Sequence, residues 1–161
     1  MKFVGEKDYQ HGMDTKVGVL ITNLGTPDAP TKKALRTYLK EFLSDPRVIE
    51  TPKIIWQIIL NVIILNVRPA KSAKAYATVW TDSGSPLYDI AKKQQAALAK
   101  ALPNLVVGLA MRYGNPSIES QLIKMRDQGV RKILIFPMYP QYCAATTARS
   151  MAGSSTLIPP V

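Results

Sequence analysis

The chain has 161 residues, 47% of them apolar and 20% charged, with one cysteine, one histidine and a net charge of +10. That is one domain's length with globular composition, which excludes intrinsic disorder. Cys143 alone excludes an internal disulfide framework and a paired-cysteine zinc site, and His11 alone excludes most histidine-rich metal sites. The positive excess is uneven: Thr31 to Lys74 carries nine Lys and Arg against three Asp and Glu, a net +6. Such a region attracts nucleic acid, lipid head groups or a small polycarboxylate or phosphate ligand, or it is simply a solvated helix face.

In chain order, Met1 to Asp14 lacks the apolar core of a secretory signal, so residues 1–16 are expected to be a flexible tail on a cytoplasmic protein. Val17 to Leu24 is a short apolar run ending at Gly25-Thr26-Pro27, which suits a strand buried on both faces in a parallel sheet. Leu35, Tyr38, Leu39, Phe42 and Leu43 recur at helical spacing, with Thr31 as N-cap and Ser44-Asp45-Pro46 as the stop. Segment 54–65 is too apolar for an ordinary surface helix. It is either a buried helix or an exposed lip that touches membrane or ligand, and its 12 residues fall short of the 20 or so that span a bilayer. A basic amphipathic stretch, 66–80, follows it.

Ser85 as N-cap and Pro86 at the first helical position open the next helix, whose apolar face runs from Leu87 to Ala101. Leu105 to Met111 is the second buried strand, with Arg112-Tyr113-Gly114 as its polar end. Asn115-Pro116 starts another helix that Gly129 ends. Lys132 to Met138 is the third strand. Alternating strands and helices make an α/β unit with a mainly parallel sheet, and in such sheets ligands bind beyond the carboxyl ends of the strands.

No G-x-G-x-x-G follows the first strand and no G-x-x-x-x-G-K-[ST] occurs, so nucleotide cofactors lose their main support. No Ser, His and Asp fall in a triad order, and Cys143 has no histidine to activate it. The strand ends carry Tyr, Pro and Gly with single arginines instead. Aromatic walls and guanidinium groups suit a flat, hydrophobic, anionic ligand.

Five strings together resemble ferrochelatases: Leu20-Ile21-Thr22-Asn23-Leu24-Gly25-Thr26-Pro27, the run from Tyr38 to Val48, Gly84-Ser85-Pro86-Leu87, Met111-Arg112-Tyr113-Gly114-Asn115-Pro116 and Tyr139-Pro140-Gln141-Tyr142. They stand in family order over about residues 17–148, and the likeness is to bacterial, soluble-type members. The resemblance implies insertion of Fe²⁺ into protoporphyrin IX with release of two protons, a lyase reaction of haem biosynthesis. It implies a three-layer α/β sandwich with a parallel, Rossmann-like sheet, one chelatase-like domain of the family's two, the second being absent. By position, Leu24 would sit on the porphyrin face, and Arg68, Tyr76 and Ser85 would meet porphyrin carboxylates. Arg112 and Tyr113 would line the deeper wall, and segment 54–65 would form an apolar lip peripheral to the inner face of the membrane. Read without the resemblance, Ser85 is a helix cap, Tyr76 is core, and Arg112 pairs with Asp28 or Asp82.

The pattern departs from the family in three ways. The family's catalytic histidine and glutamate have no match here, so no catalytic or metal-ligating residue is assigned in this chain. Residues 149–161 lose the expected helix and look like the end of a truncated or frame-shifted reading frame. Cys143 stands at a usual serine position, and one cysteine cannot ligate an iron–sulfur cluster, so no cofactor is expected and Fe²⁺ is a substrate. The alternative is a non-catalytic basic domain that binds porphyrin, a membrane surface or nucleic acid; the resemblance itself implies no nucleic-acid partner.

Overall fold

Three strands lie parallel in the order β2–β1–β3, with β1 spanning Lys16–Gly25, β2 Val106–Tyr113 and β3 Val130–Pro137. Between them run α1 (Lys32–Leu43), α2 (Lys53–Ile58), a π-helical segment (Ile59–Ile64), α3 (Leu65–Val79), α4 (Pro86–Ala101) and α5 (Ile118–Asp127). The structure, a computed structural model, describes residues 15–49, 51–139 and 141. His11, Tyr142, Cys143 and the expected tails at 1–14 and 149–161 lie outside the described residues. Lys16, expected in the tail, already belongs to β1, where it pairs with Val130.

β1 is the central strand, so both its faces are covered, which is why its sequence is continuously apolar rather than alternating. Val19 and Ile21 pack with Leu109 and Met111 under Ala91 and Tyr88 of α4. Leu20 turns the other way and packs with Ala110 against Ile118, Leu122 and Met125 of α5. Helices on both faces of a parallel sheet give the expected three-layer α/β arrangement.

The element ends differ from the sequence expectation in ways that matter for the site. β2 continues through Tyr113, because Gly25 pairs with Tyr113 and carries the ladder two residues further. Arg112 and Tyr113, read as the polar end of this strand, are strand residues fixed in register. Asn115 and Pro116 lie in the turn before α5, whose N-cap is Ser117, with its side chain accepting from the Ser120 amide at 3.2 Å. Ser85 occupies the N-cap position of α4 with Pro86 at the helix start, but its hydroxyl makes no capping bond. Thr31 caps α1 as expected, accepting from the Ala34 amide at 3.3 Å.

Segment 54–65 does not stop where its apolar run stops. α2, the π-helical segment and α3 form one 27-residue helix, Lys53–Val79, whose most apolar window has a mean hydropathy of 1.3. By length and composition alone that helix is sufficient to cross a membrane, unlike the 12-residue run read from sequence. One side of it is held down: Leu60 and Leu65 pack on Leu43, Leu39 and Phe42, and Trp56 Nε1 donates to the Leu43 carbonyl at 2.6 Å. Arg36 of α1 donates to the Leu65 carbonyl and to Asn66 Oδ1, and Asn66 Nδ2 donates to the Val62 carbonyl at 2.7 Å. These side chains take up carbonyls where the helix widens. The other side is a bare apolar strip from Ile54 (79% exposed) through Ile58 and Val62 to Val67 (68% exposed), so the segment is buried on one side and exposed on the other.

A second apolar surface lies on β3. α4 packs on β2 and β1, and on the same face Leu134 and Phe136 of β3, an edge strand among the described residues, remain 59% and 51% exposed. Exposed apolar edges of this kind favour association. The chain is expected to self-associate at about 100 µM, and Leu134→Lys with Phe136→Lys to raise the monomer fraction in size-exclusion chromatography with light scattering. A wild-type chain that stays monomeric throughout that concentration range would contradict this.

Candidate functional site

The carboxyl ends of β1 and β2 are held together by backbone that comes unusually close. Gly25, the last residue of β1, has φ +116° and packs directly on the backbone of Tyr113. The chain then turns through Thr26 and Pro27, both buried, and Thr26 Oγ1 donates to Ser85 Oγ at 2.8 Å. That bond replaces the helix cap that Ser85 was expected to make: its oxygen is taken by β1's loop instead of α4's first turn. Beside it lies a cavity of about 550 Å³ lined by Thr26, Trp80, Ser85, Tyr88 and Asn115 among others.

On the other side of Gly25, α1 closes over the strand ends. Tyr38 is buried and its hydroxyl donates to the Gly25 carbonyl at 3.3 Å. Burial raises the Tyr38 phenol pKa well above its ordinary value, and the neighbouring phenols of Tyr76 and Tyr113, the Glu41 carboxylate and the Tyr139 phenol add to the rise. Four tyrosines from α1, α3, β2 and the end of β3 thus share one neighbourhood. Tyr76 is half-buried, its pKa also raised by burial, and its ring meets Trp80 edge-on at 6.3 Å. Tyr38 and Tyr76 therefore keep their protons at neutral pH and act as donors, not bases.

Arg112 and Tyr113 meet the start of the loop after α1. The expected pairing of Arg112 with Asp28 or Asp82 is not found; Arg112 Nη2 donates to Asp45 Oδ2 at 3.3 Å. The reason is positional: as a β2 residue Arg112 lies beneath the carboxyl end of α1, while Asp28 accepts from Asn115 Nδ2 at 3.1 Å and Asp82 is exposed in a turn. Tyr113 Oη donates to the same Asp45 oxygen at 3.0 Å. The Phe42 ring meets the Tyr113 ring edge-on at 5.0 Å, and the Arg112 guanidinium lies 5.0 Å from the Tyr113 ring centre. A second cavity, of about 490 Å³, opens here between Thr37, Lys40, Glu41, Asp45 and Arg112.

Of the six residues singled out from sequence, the structure gathers four around the ends of β1 and β2. Ser85 sits beside Thr26, Tyr76 and Tyr113 neighbour Tyr38, and Arg112 lies with Tyr113. Leu24, half-buried, is the penultimate residue of β1 at the same end of the sheet. Arg68 stands apart, exposed on α3 two turns before Tyr76, with no hydrogen bond or ion pair among the described residues. Sequence reasoning placed Tyr38 on an apolar helix face and Asp45 in a helix stop, both inside the Tyr38 to Val48 string, but gave neither a role at the site. The available signal for Asp45 was a carboxylate in a strongly basic stretch.

The Ferrochelatase family model matches residues 16–157. Among curated relatives, the ferrochelatase of Idiomarina loihiensis is 56% identical over 153 residues, 92% of this chain and 42% of that protein. That of Thioalkalivibrio sulfidiphilus is 58% identical over 151 residues, covering 91% of this chain and 41% of the relative. That of Marinobacter nauticus is 56% identical over 160 residues, 96% of this chain and 43% of the relative. The chain thus spans a little over two fifths of the length of these relatives. With a matching fold, strand-end motifs set in one register and this identity over nine tenths of its residues, the chain belongs to the ferrochelatase family.

Proposed function

We propose that this chain seats the porphyrin in a ferrochelatase, the haem-pathway lyase that inserts Fe²⁺ into protoporphyrin IX with release of two protons. The observation that carries this reading is that Ser85 on one side of Gly25, and Arg112 and Tyr113 on the other, lie at the carboxyl ends of β1 and β2, the side of a parallel sheet where ligands bind. Protoporphyrin is flat, apolar and dianionic, and the site offers aromatic and aliphatic walls with donors at the rim. Leu24 packs on the macrocycle. Ser85 Oγ accepts from Thr26 and so keeps its own proton for a carboxylate, next to the positive end of α4. The Tyr76 phenol, held protonated, donates to the same ligand edge. Arg68, free of protein partners among the described residues, supplies the charge that a propionate needs. The apolar strip from Ile54 to Val67 rests on the membrane surface from which an insoluble porphyrin arrives, with Lys71 and Lys74 further along the helix for anionic head groups.

Metallation also needs a base near the porphyrin centre to accept two pyrrole protons. The phenols of Tyr38 and Tyr76 are driven towards the protonated form, and Asp45 is occupied by Arg112 and Tyr113. Among the described residues no three His, Cys, Asp or Glu side chains gather to hold a metal ion. In this reading the 161 residues bind and orient porphyrin and do not complete the reaction. The purified chain is expected to shift and saturate the protoporphyrin absorbance band, yet to insert Fe²⁺ or Zn²⁺ no faster than buffer. Turnover clearly above the uncatalysed rate would overturn the binding-only assignment, and an absorbance band that never saturates would overturn porphyrin recognition itself.

A further inference from the structure

Asp45 is a carboxylate that the reaction as outlined does not use, yet it is among the least exposed charged side chains, at 2%. It follows α1, whose C-cap is Ser44, and it bonds to three separate donors. Oδ1 accepts from the Arg47 amide at 3.0 Å, and Oδ2 accepts from Arg112 Nη2 at 3.3 Å and Tyr113 Oη at 3.0 Å. Its own carbonyl accepts from the Val48 amide at 3.0 Å, which fixes the backbone of the turn. Arg112 depends on it: the side chain is largely covered, and Nε is buried without a hydrogen-bond partner among the described residues. A buried ion pair gains little over well-packed apolar side chains, because desolvation offsets most of the attraction. Its consequence is therefore orientation: one oxygen holds a guanidinium and a phenol in a fixed relation at the end of β2. Glu41 strengthens the same junction by accepting from the Gly114 amide at 3.0 Å.

We infer that Asp45 is a positioning residue for the ligand wall, acting through Arg112 and Tyr113 without touching the ligand itself. The inference rests on the porphyrin-seating reading above. With the carboxylate in place, Arg112 presents its remaining edge in one arrangement over the buried Tyr113 ring before the ligand arrives, so binding does not have to order it. Asparagine at this position keeps an acceptor for the Arg47 amide and the Tyr113 hydroxyl but loses the charge that holds the guanidinium.

The test is a double-mutant cycle on the 161-residue chain, read by protoporphyrin IX titration and accompanied by circular dichroism melts. Arg112→Met keeps the apolar stem and removes the charge. Asp45→Asn is expected to weaken porphyrin binding about tenfold in the wild-type background and less than about twofold in the Arg112→Met background. A residue that matters only for folding would lower the melting temperature in both backgrounds and show no such dependence in affinity. Wild-type affinity in a folded Asp45→Asn chain, or the same tenfold loss on top of Arg112→Met, overturns the inference. Should Asp45→Asn fail to fold, Tyr113→Phe removes a hydroxyl that lies out of solvent and bonds to Asp45. It is expected to weaken binding about threefold, and unchanged affinity there also overturns the inference. If the wild-type chain itself takes up no porphyrin saturably, the porphyrin-seating reading falls and this inference with it. If the wild type binds and Asp45→Asn is neutral, only the positioning role falls.

Discussion

Gly25→Ala is expected to destabilise the fold by about 3–5 kcal/mol, a large share of the 5–15 kcal/mol that holds a typical domain together. The cause is contact as well as backbone strain. Gly25 has φ +116°, and a Cβ there would lie 1.8 Å from the Tyr113 carbonyl oxygen and 2.8 Å from its carbonyl carbon. Those are backbone atoms of a paired strand, so neither can swing aside as a side chain would. Relief would require β1 and β2 to separate at their carboxyl ends, breaking the Gly25–Tyr113 pairing and the Tyr38 bond to the Gly25 carbonyl. Gly84 provides the control: it also has positive φ, at +98°, but nothing lies within 4 Å of its would-be Cβ. Gly84→Ala is expected to cost only about 1 kcal/mol, the penalty for the backbone conformation alone. Urea denaturation of the two variants checks this. A Gly25→Ala chain within 1 kcal/mol of Gly84→Ala would mean that the strand ends are not so closely joined.

The three strands and the helices between them were legible because each obeys one local rule: continuous apolarity for a central strand, or apolar spacing near 3.6 with a cap for a helix. Thr31 and Gly129 marked real boundaries for that reason. What was not legible depended on which distant group arrives at a given place. Ser85 has the sequence of an N-cap, yet Thr26, 59 residues away, takes its oxygen. Arg112 has acidic residues elsewhere in the chain to choose from, and only the register of β2 beneath α1 selects Asp45, 67 residues away. The helix passes from the apolar run 54–65 through Pro69 to Val79, and packing against α1 decides which of its sides stays bare. Of the candidate site, Ser85, Arg112 and Tyr113 came from motif strings and Tyr76 from position within the resemblance. Tyr38 and Asp45 required the fold.

In the proposed reading Arg68 is the residue on which specific porphyrin recognition depends most, and among the described residues it has no hydrogen bond or ion pair. A charge-assisted hydrogen bond from its guanidinium to a porphyrin carboxylate contributes about 1.5–3 kcal/mol when partly shielded from water, and exposure on α3 places the expected value near the lower end. Lys32 carries the same charge at the exposed start of α1. The deciding measurement is protoporphyrin titration of the wild type, Arg68→Ala and Lys32→Ala, each at low and high salt. The account predicts binding about tenfold weaker for Arg68→Ala, a change of less than about twofold for Lys32→Ala, and the same ranking at both salt concentrations. Equal losses for the two variants, with binding erased by salt, would contradict it and leave a positively charged surface without a porphyrin site.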